Sequence, residues 1–192
     1  MFLTEYVHQQ LAKIIRPDDW AIDATVGNGH DTLFLAQHVG AAGQVVGFDL
    51  QPVAIDNTRH RLAVNGLAER VQLYQMNHAD MLSVLEPAAT KHRYSAAIFN
   101  LGYLPGSDQL ITTSTHSSLQ ALQAAFQLLA EGGCLSALLY TGHPGGRAET
   151  EAIKSWSQTL EPQHADIEHI VPANCKNAPP ELLMIQKKGS SE

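Results

Sequence analysis

Short apolar runs that read as strands alternate along this chain with longer segments whose apolar residues recur at helical spacing, and few architectures accept that order. The strand-like runs are WAIDAT (Trp20 to Thr25), QVVGFD (Gln44 to Asp49), RVQLYQM (Arg70 to Met76), YSAAIFN (Tyr94 to Asn100), CLSALLYT (Cys134 to Thr141), DIEHIV (Asp166 to Val171) and ELLMIQKK (Glu181 to Lys188). Helical spacing marks Asp31 to His38, Pro52 to Asn65, Met81 to Leu85, Thr115 to Ala130 and Arg147 to Leu160. Pro52 suits a first helical turn, Gly132-Gly133 suits a left-handed cap after the fourth helix, and a further helix from Thr4 to Ile15 is closed by Pro17. Right-handed crossovers then give a Rossmann-like α/β fold: a seven-stranded, mostly parallel sheet with helices on both faces and a ligand beyond the carboxyl ends of its strands. Only the loop PANCKNAPP separates the last two runs, so strands six and seven are expected as an antiparallel pair at one end.

The 192 residues fit one domain, 1–192, and 44% hydrophobic with 16% charged residues is the composition of a globular chain. Cys134 and Cys175 stand far apart and in no Cys-x-x-Cys arrangement, which suggests neither a disulfide framework nor a zinc ribbon. The ten histidines show no His-Glu-x-x-His spacing, and no metal is expected. Glu5 near the start, with no basic leader or bilayer-length apolar run, points to a cytoplasmic protein that does not enter a membrane. A net charge of −7 argues against a surface that grips nucleic acid everywhere but leaves room for a local basic rim, since Arg59, Arg61, Arg70, Lys91, Arg93, Arg147, Lys154 and Lys176 are scattered in sequence.

The first strand runs into DATVGNGHDT, which puts Gly27, Asn28 and Gly29 in the turn before a helix, where backbone must approach a ligand closely. A dinucleotide would bring its pyrophosphate to this helix start, where Asp23 and Asp31 would repel it, and Thr32 stands where the fingerprint's third glycine belongs. S-adenosylmethionine carries an ammonium and a sulfonium and no phosphate, so the same carboxylates favour it. Asp49 closes strand two, followed by Leu50 and Gln51, where a carboxylate can accept from a ribose diol; helix capping is the alternative use. Asn77-His78-Ala79-Asp80 follows strand three, where an adenine edge would lie; Asp80 is the candidate for its amino group, with capping again the alternative.

After strand four comes NLGYLPG, in which the Asn100 oxygen and a neighbouring carbonyl can hold the N–H groups of an amine while Tyr103 packs on the substrate or simply in the core. The Asn-x-x-Tyr layout is similar to the Asn-Pro-Pro-Tyr loop of amino-directed methyltransferases, with Leu101-Gly102 replacing the prolines. TGHPGG (Thr141 to Gly146) follows strand five: Gly145 and Gly146 lead to Arg147 at a helix start able to receive an RNA phosphate, and His143 is either a proton acceptor for the amine or a structural histidine. Asn174, Lys176 and Asn177 lie in the last loop, which either touches RNA or merely joins two strands.

Taken in order, DATVGNGHDT, FDLQ, NLGYLPG, TGHPGG and NCKNAPP resemble, over essentially the whole chain, the small bacterial methyltransferases long labelled rRNA methylases, the MnmM-type enzymes that modify the tRNA wobble uridine. The resemblance implies methyl transfer from S-adenosylmethionine to the amine of 5-aminomethyl-2-thiouridine in a tRNA anticodon loop, with S-adenosylhomocysteine as product; homodimerisation fits the family. Transfer to rRNA or a small amine, and a noncatalytic S-adenosylmethionine- or RNA-binding module, are the rival readings.

Overall fold

The computed structural model describes residues 3–89, 91–102, 113–172 and 179–189. Helix α1 (Leu3–Leu11) precedes β1 (Trp20–Asp23), α2 (His30–His38), β2 (Gln44–Asp49), α3 (Pro52–Val64), β3 (Val71–Gln75), α4 (Leu82–Ala89) and β4 (Tyr94–Leu101). The chain continues with α5 (Thr115–Leu128), β5 (Leu129–Leu139), α6 (Gly146–Ser157), β6 (Ala165–Ile170) and β7 (Glu181–Lys187). All seven strands join one sheet in the order β3-β2-β1-β4-β5-β7-β6. The pairings from β3 through β5 are parallel, and β7 runs antiparallel to both β5 and β6. The strand order reverses at β1 and β4, which opens a crevice at their carboxyl ends.

The near-continuous apolar runs have a direct cause: successive side chains of a strand point to opposite faces, and both faces of this sheet are covered. Ala21, Val45, Ala96 and Ile98 pack with Val7 and Leu11 of α1, Leu35 and Ala36 of α2 and Leu62 of α3. Ile22, Val46, Ala97 and Phe99 face the other way, onto Leu85 of α4, Leu122 and Ala125 of α5 and Ile153 of α6. The same rule explains the end of the sheet. Leu182, Leu183, Met184 and Ile185 of β7 are all buried, so β7 is the inner strand, whereas the mostly exposed β6 takes the edge.

Element bounds differ from the sequence expectation in several places: α4 runs on to Ala89 beyond the expected Leu85, α6 ends at Ser157 before the expected Leu160, and two further differences bear on packing. Helix α1 stops at Leu11, and the residues to Ile15 form turns that still bury Ile15. Gly132-Gly133 does not cap α5: that helix ends at Leu128, and Gly132, at φ 77°, belongs to a bulge in β5 where residues 130–133 stand opposite Ser95 alone. The helix end is satisfied from elsewhere. Lys187 Nζ, reaching over from β7, donates to the carbonyls of Phe126 (3.1 Å), Gln127 (3.0 Å) and Leu129 (2.7 Å). A cation at a helix C-terminus is favoured by the helix dipole and by the unpaired carbonyls there. Lys187→Met should therefore lower unfolding stability by about 1–2 kcal/mol in a urea titration, with an unchanged midpoint counting against this cap.

Among the described residues, no helix is long and apolar enough to cross a membrane.

Candidate active site

A cavity of about 570 Å³ opens at the carboxyl ends of β1, β2 and β4. Its floor is the turn after β1, where Gly27 and Gly29 adopt φ of 53° and 74°, values that L side chains rarely tolerate. Gly29 has a second reason to be glycine, since a Cβ there would lie 2.5 Å from Thr58 Oγ1. The turn is braced from α3: Thr58 Oγ1 donates to the Gly27 carbonyl (3.2 Å) and Arg61 Nε to the Asn28 carbonyl (2.7 Å). Arg61, counted in sequence among candidates for a basic rim, thus supports the loop.

Asp49, at the end of β2, ties the turn to the neighbouring strand. Its Oδ2 accepts from Gly27 N and its Oδ1 from Gln51 N, both at 2.9 Å. A carboxylate offers about four acceptor positions, so each oxygen keeps capacity toward the cavity that Asp49 lines. Asn28 and Gln51 also line it, with Phe48, Leu50, Met76, Asn77 and His78. The His78 ring lies 3.0 Å through Nδ1 from the Ala24 carbonyl, which fixes Nδ1 as the donor and leaves Nε2 without its proton in the neutral ring. Burial lowers the His78 pKa, with the Ala24 contact opposing, so the neutral ring is the favoured form.

The opposite end holds Asn100, the penultimate residue of β4. Its backbone N–H donates to Thr25 Oγ1 at 2.7 Å and its side-chain Nδ2 to Asp31 Oδ2 at 2.7 Å. The second Asp31 oxygen lies 2.7 Å from His8 Nε2 of α1. Asp31 and Asn100 both line the cavity, together with Thr4, Thr25, Gly102, Thr113, Ser114, Ser117 and Tyr140.

Several residues singled out in the sequence do other work. Asp23 is fully buried behind the turn, accepting from Thr32 Oγ1 (2.6 Å) and Thr25 N (3.2 Å), and neither Asp23 nor Thr32 lines the cavity. Burial and the nearby Asp31 raise Asp23 to about 7, against the lowering effect of those two hydrogen bonds. Gly29 shapes the turn without lining the cavity. Asp80 is exposed and outside the cavity; Asn77 lines it instead while capping Ala79 N at 3.0 Å. Leu101 is buried in the core, because its side chain alternates away from that of Asn100.

His143 is likewise turned inward, with Nδ1 3.1 Å from the Pro144 carbonyl and Nε2 3.8 Å from Glu149 Oε2. Gly146 is a packing glycine, since a Cβ there would lie 2.6 Å from the Tyr140 carbonyl and 2.9 Å from His143 Nε2. Gly145, at φ 85°, caps α6, and Arg147 is exposed in its first turn; neither lines the cavity. Tyr103, Asn174, Lys176 and Asn177 lie outside the described residues.

Sequence reading missed His8, Tyr140 and Glu149. Tyr140 is 42% exposed where β5 delivers it to the cavity, with room made by Gly102, whose Cβ would stand 3.1 Å from the Tyr140 Cβ. Its signal was present as an aromatic ending a strand that points at the ligand crevice. Glu149 is buried and accepts from Thr113 Oγ1 (2.9 Å) and Ser118 Oγ (2.6 Å), which binds α6 to the start of α5; nothing in its local pattern marks it.

Comparison with known proteins is consistent with this geometry. The model of the family described as "Putative rRNA methylase" matches residues 45–186. A Clostridium thermocellum protein structure described in the same terms superposes with a TM-score of 0.90 at 34% identity, covering 96% of each chain. A "putative methyltransferase" of Streptococcus mutans, crystallised in complex with SAH, gives a TM-score of 0.86 at 32% identity, covering 97% of this chain and 98% of that one. The chloroplastic tRNA (mnm(5)s(2)U34)-methyltransferase of Arabidopsis thaliana is 38% identical over 165 residues, 82% of this chain. This chain spans 59% of that relative's length.

The sheet order with its inserted antiparallel strand, and a ligand cavity where β1 and β4 part, define a class I, S-adenosylmethionine-dependent methyltransferase. Within that class, the chain belongs to the family described as "Putative rRNA methylase".

Proposed function

We propose that this protein transfers a methyl group from S-adenosylmethionine to the primary amine of 5-aminomethyl-2-thiouridine at the wobble position of tRNA. The observation that carries the reading is the Asn100 side chain: its Nδ2 is engaged by Asp31, so the oxygen is the group left to accept from an amine in the cavity. The name of the Arabidopsis relative supports the tRNA acceptor.

The residues of the cavity fit the cofactor. Asp49 retains acceptor capacity for ribose hydroxyls, Gly27 and Asn28 offer close backbone approach, and Gln51, His78, Asn77 and Met76 frame a slot for a base. Asp31 in the first turn of α2 would repel a phosphate and favours a cationic ligand. When bound, the cofactor supplies an electrophilic methyl on a sulfonium. Asn100 orients the nitrogen lone pair of the acceptor, and Gly102 with Tyr140 forms the wall against which its base packs. An ammonium has no lone pair, so the amine must be neutral when it attacks; His143 is turned toward Glu149 rather than the cavity. In this reading Arg147 contacts the RNA backbone, and Tyr103, Asn174, Lys176 and Asn177, outside the described residues, are further candidates for contact with the acceptor.

The test is incubation with labelled S-adenosylmethionine and tRNA from cells lacking the gene, followed by nucleoside mass spectrometry. Label in 5-methylaminomethyl-2-thiouridine supports the reading, and unlabelled tRNA overturns it. A compact amine is the second reading, favoured by the net charge of −7. Salt separates the two: tRNA methylation should lose at least about tenfold in kcat/KM between 50 and 200 mM salt, as expected from displaced counterions, whereas a small acceptor should show little change.

A further inference from the structure

We propose that His8, on the helix that precedes the first strand, is a positioning residue for methyl transfer: it holds Asp31 so that the Asn100 amide keeps its oxygen toward the acceptor. The proposal rests on the reading of Asn100 as the group that orients the amine.

Three side chains far apart in sequence form one chain of contacts, with His8 Nε2 2.7 Å from Asp31 Oδ1 and Asn100 Nδ2 2.7 Å from Asp31 Oδ2. An ionised carboxylate only accepts, so it demands an N–H from each neighbour. That fixes the histidine proton on Nε2 and the amide nitrogen of Asn100 toward Asp31. Without the His8 contact the carboxylate could rotate away from Asn100, which would allow the amide to turn and present N–H groups to an amine that also carries N–H groups. The His8 contact therefore decides whether the cavity offers an acceptor.

Asp23 lies buried behind the turn, and its carboxyl is raised by burial and by the nearby Asp31. The His8 contact gives the Asp31 carboxylate a second donor beside the Asn100 amide, while the Asp23 carboxyl is met by the Thr32 hydroxyl.

His8 is held in place for this role. Its ring stacks on Phe34 with centroids 3.9 Å apart and planes within 1°. Val7 and Leu11 anchor α1 in the core. Thr4, one helical turn before His8 on the same face, lines the cavity. The N-terminal helix thereby becomes part of the acceptor site as well as a cover for the sheet.

Two substitutions separate positioning from packing. His8→Phe keeps an aromatic ring against Phe34 and removes the donor, whereas His8→Gln restores a donor and removes the stack. The expected result is a fall of about tenfold in kcat for His8→Phe, with S-adenosylmethionine affinity within about twofold of wild type, and recovery to within about threefold in His8→Gln. Wild-type kcat in His8→Phe, or an equal loss in both variants, overturns the proposal.

A second measurement needs no acceptor. The Asn100 side-chain amide protons, protected by Asp31, should exchange with water at least about tenfold faster in His8→Phe than in the wild type when followed by NMR, and at near wild-type rates in His8→Gln. Unchanged exchange in His8→Phe overturns the proposal. If wild-type protein fails to methylate tRNA, the substrate reading falls while this exchange measurement still decides the role of His8.

Discussion

Asn100→Ala should reduce kcat by about 100-fold or more while leaving S-adenosylmethionine affinity within about threefold of wild type. The asymmetry follows from position. Asn100 lines the end of the cavity away from Asp49, and its side-chain contact is with Asp31 rather than with the residues around Asp49. In the proposed reaction, removing the amide deletes the acceptor that aligns the amine but leaves the Asp49 end intact. The backbone should survive, because the Asn100 N–H to Thr25 contact does not depend on the side chain. Single-turnover rates with saturating cofactor, alongside calorimetric cofactor binding, would check it; full turnover in the variant would remove the orienting role.

Asp49→Ala should show the reverse signature, with cofactor affinity weakened by about 10- to 100-fold. A hydrogen bond to a charged group contributes about 1.5–3 kcal/mol, and each 1.4 kcal/mol is about tenfold in affinity. The substitution also removes the partner of Gly27 N and Gln51 N, so the glycine turn loses its tie to β2. Calorimetry at fixed pH reads the affinity, and a circular dichroism melt separates a loosened turn from a damaged fold. Wild-type affinity in a folded variant would exclude Asp49 from the cofactor site.

The places of these two residues at the cavity were legible in the sequence for the same reason. In a sheet covered on both faces, an acidic or amide side chain closing an apolar run has only the carboxyl end of the strand to occupy, and ligands bind at those ends. Asp49 and Asn100 follow from that rule, whereas Asp23, which also closes its strand, is drawn behind the turn by Thr25 and Thr32. Asp80 was not legible in this way, because it follows its strand by a short helical turn, and which residue of Asn77 to Asp80 faces inward depends on how that turn lands. Gly132 is a similar case: a glycine pair after a helix satisfies a cap as well as a bulge, and Lys187 from a distant strand takes the helix-end carbonyls.

The sequence by itself determined the layer architecture, the glycine turn, the carboxylate of β2 and the amide of β4, since periodicity and position along a strand report burial and direction locally. Only the tertiary structure decided that His8 meets Asp31, that Asp31 holds Asn100, that His143 turns away toward Glu149 and that Tyr140 forms the wall. The physical reason is that a polar side chain's role is set by the partner that satisfies it. Here those partners come from elements up to 69 residues apart, brought together by packing on which the local pattern is silent.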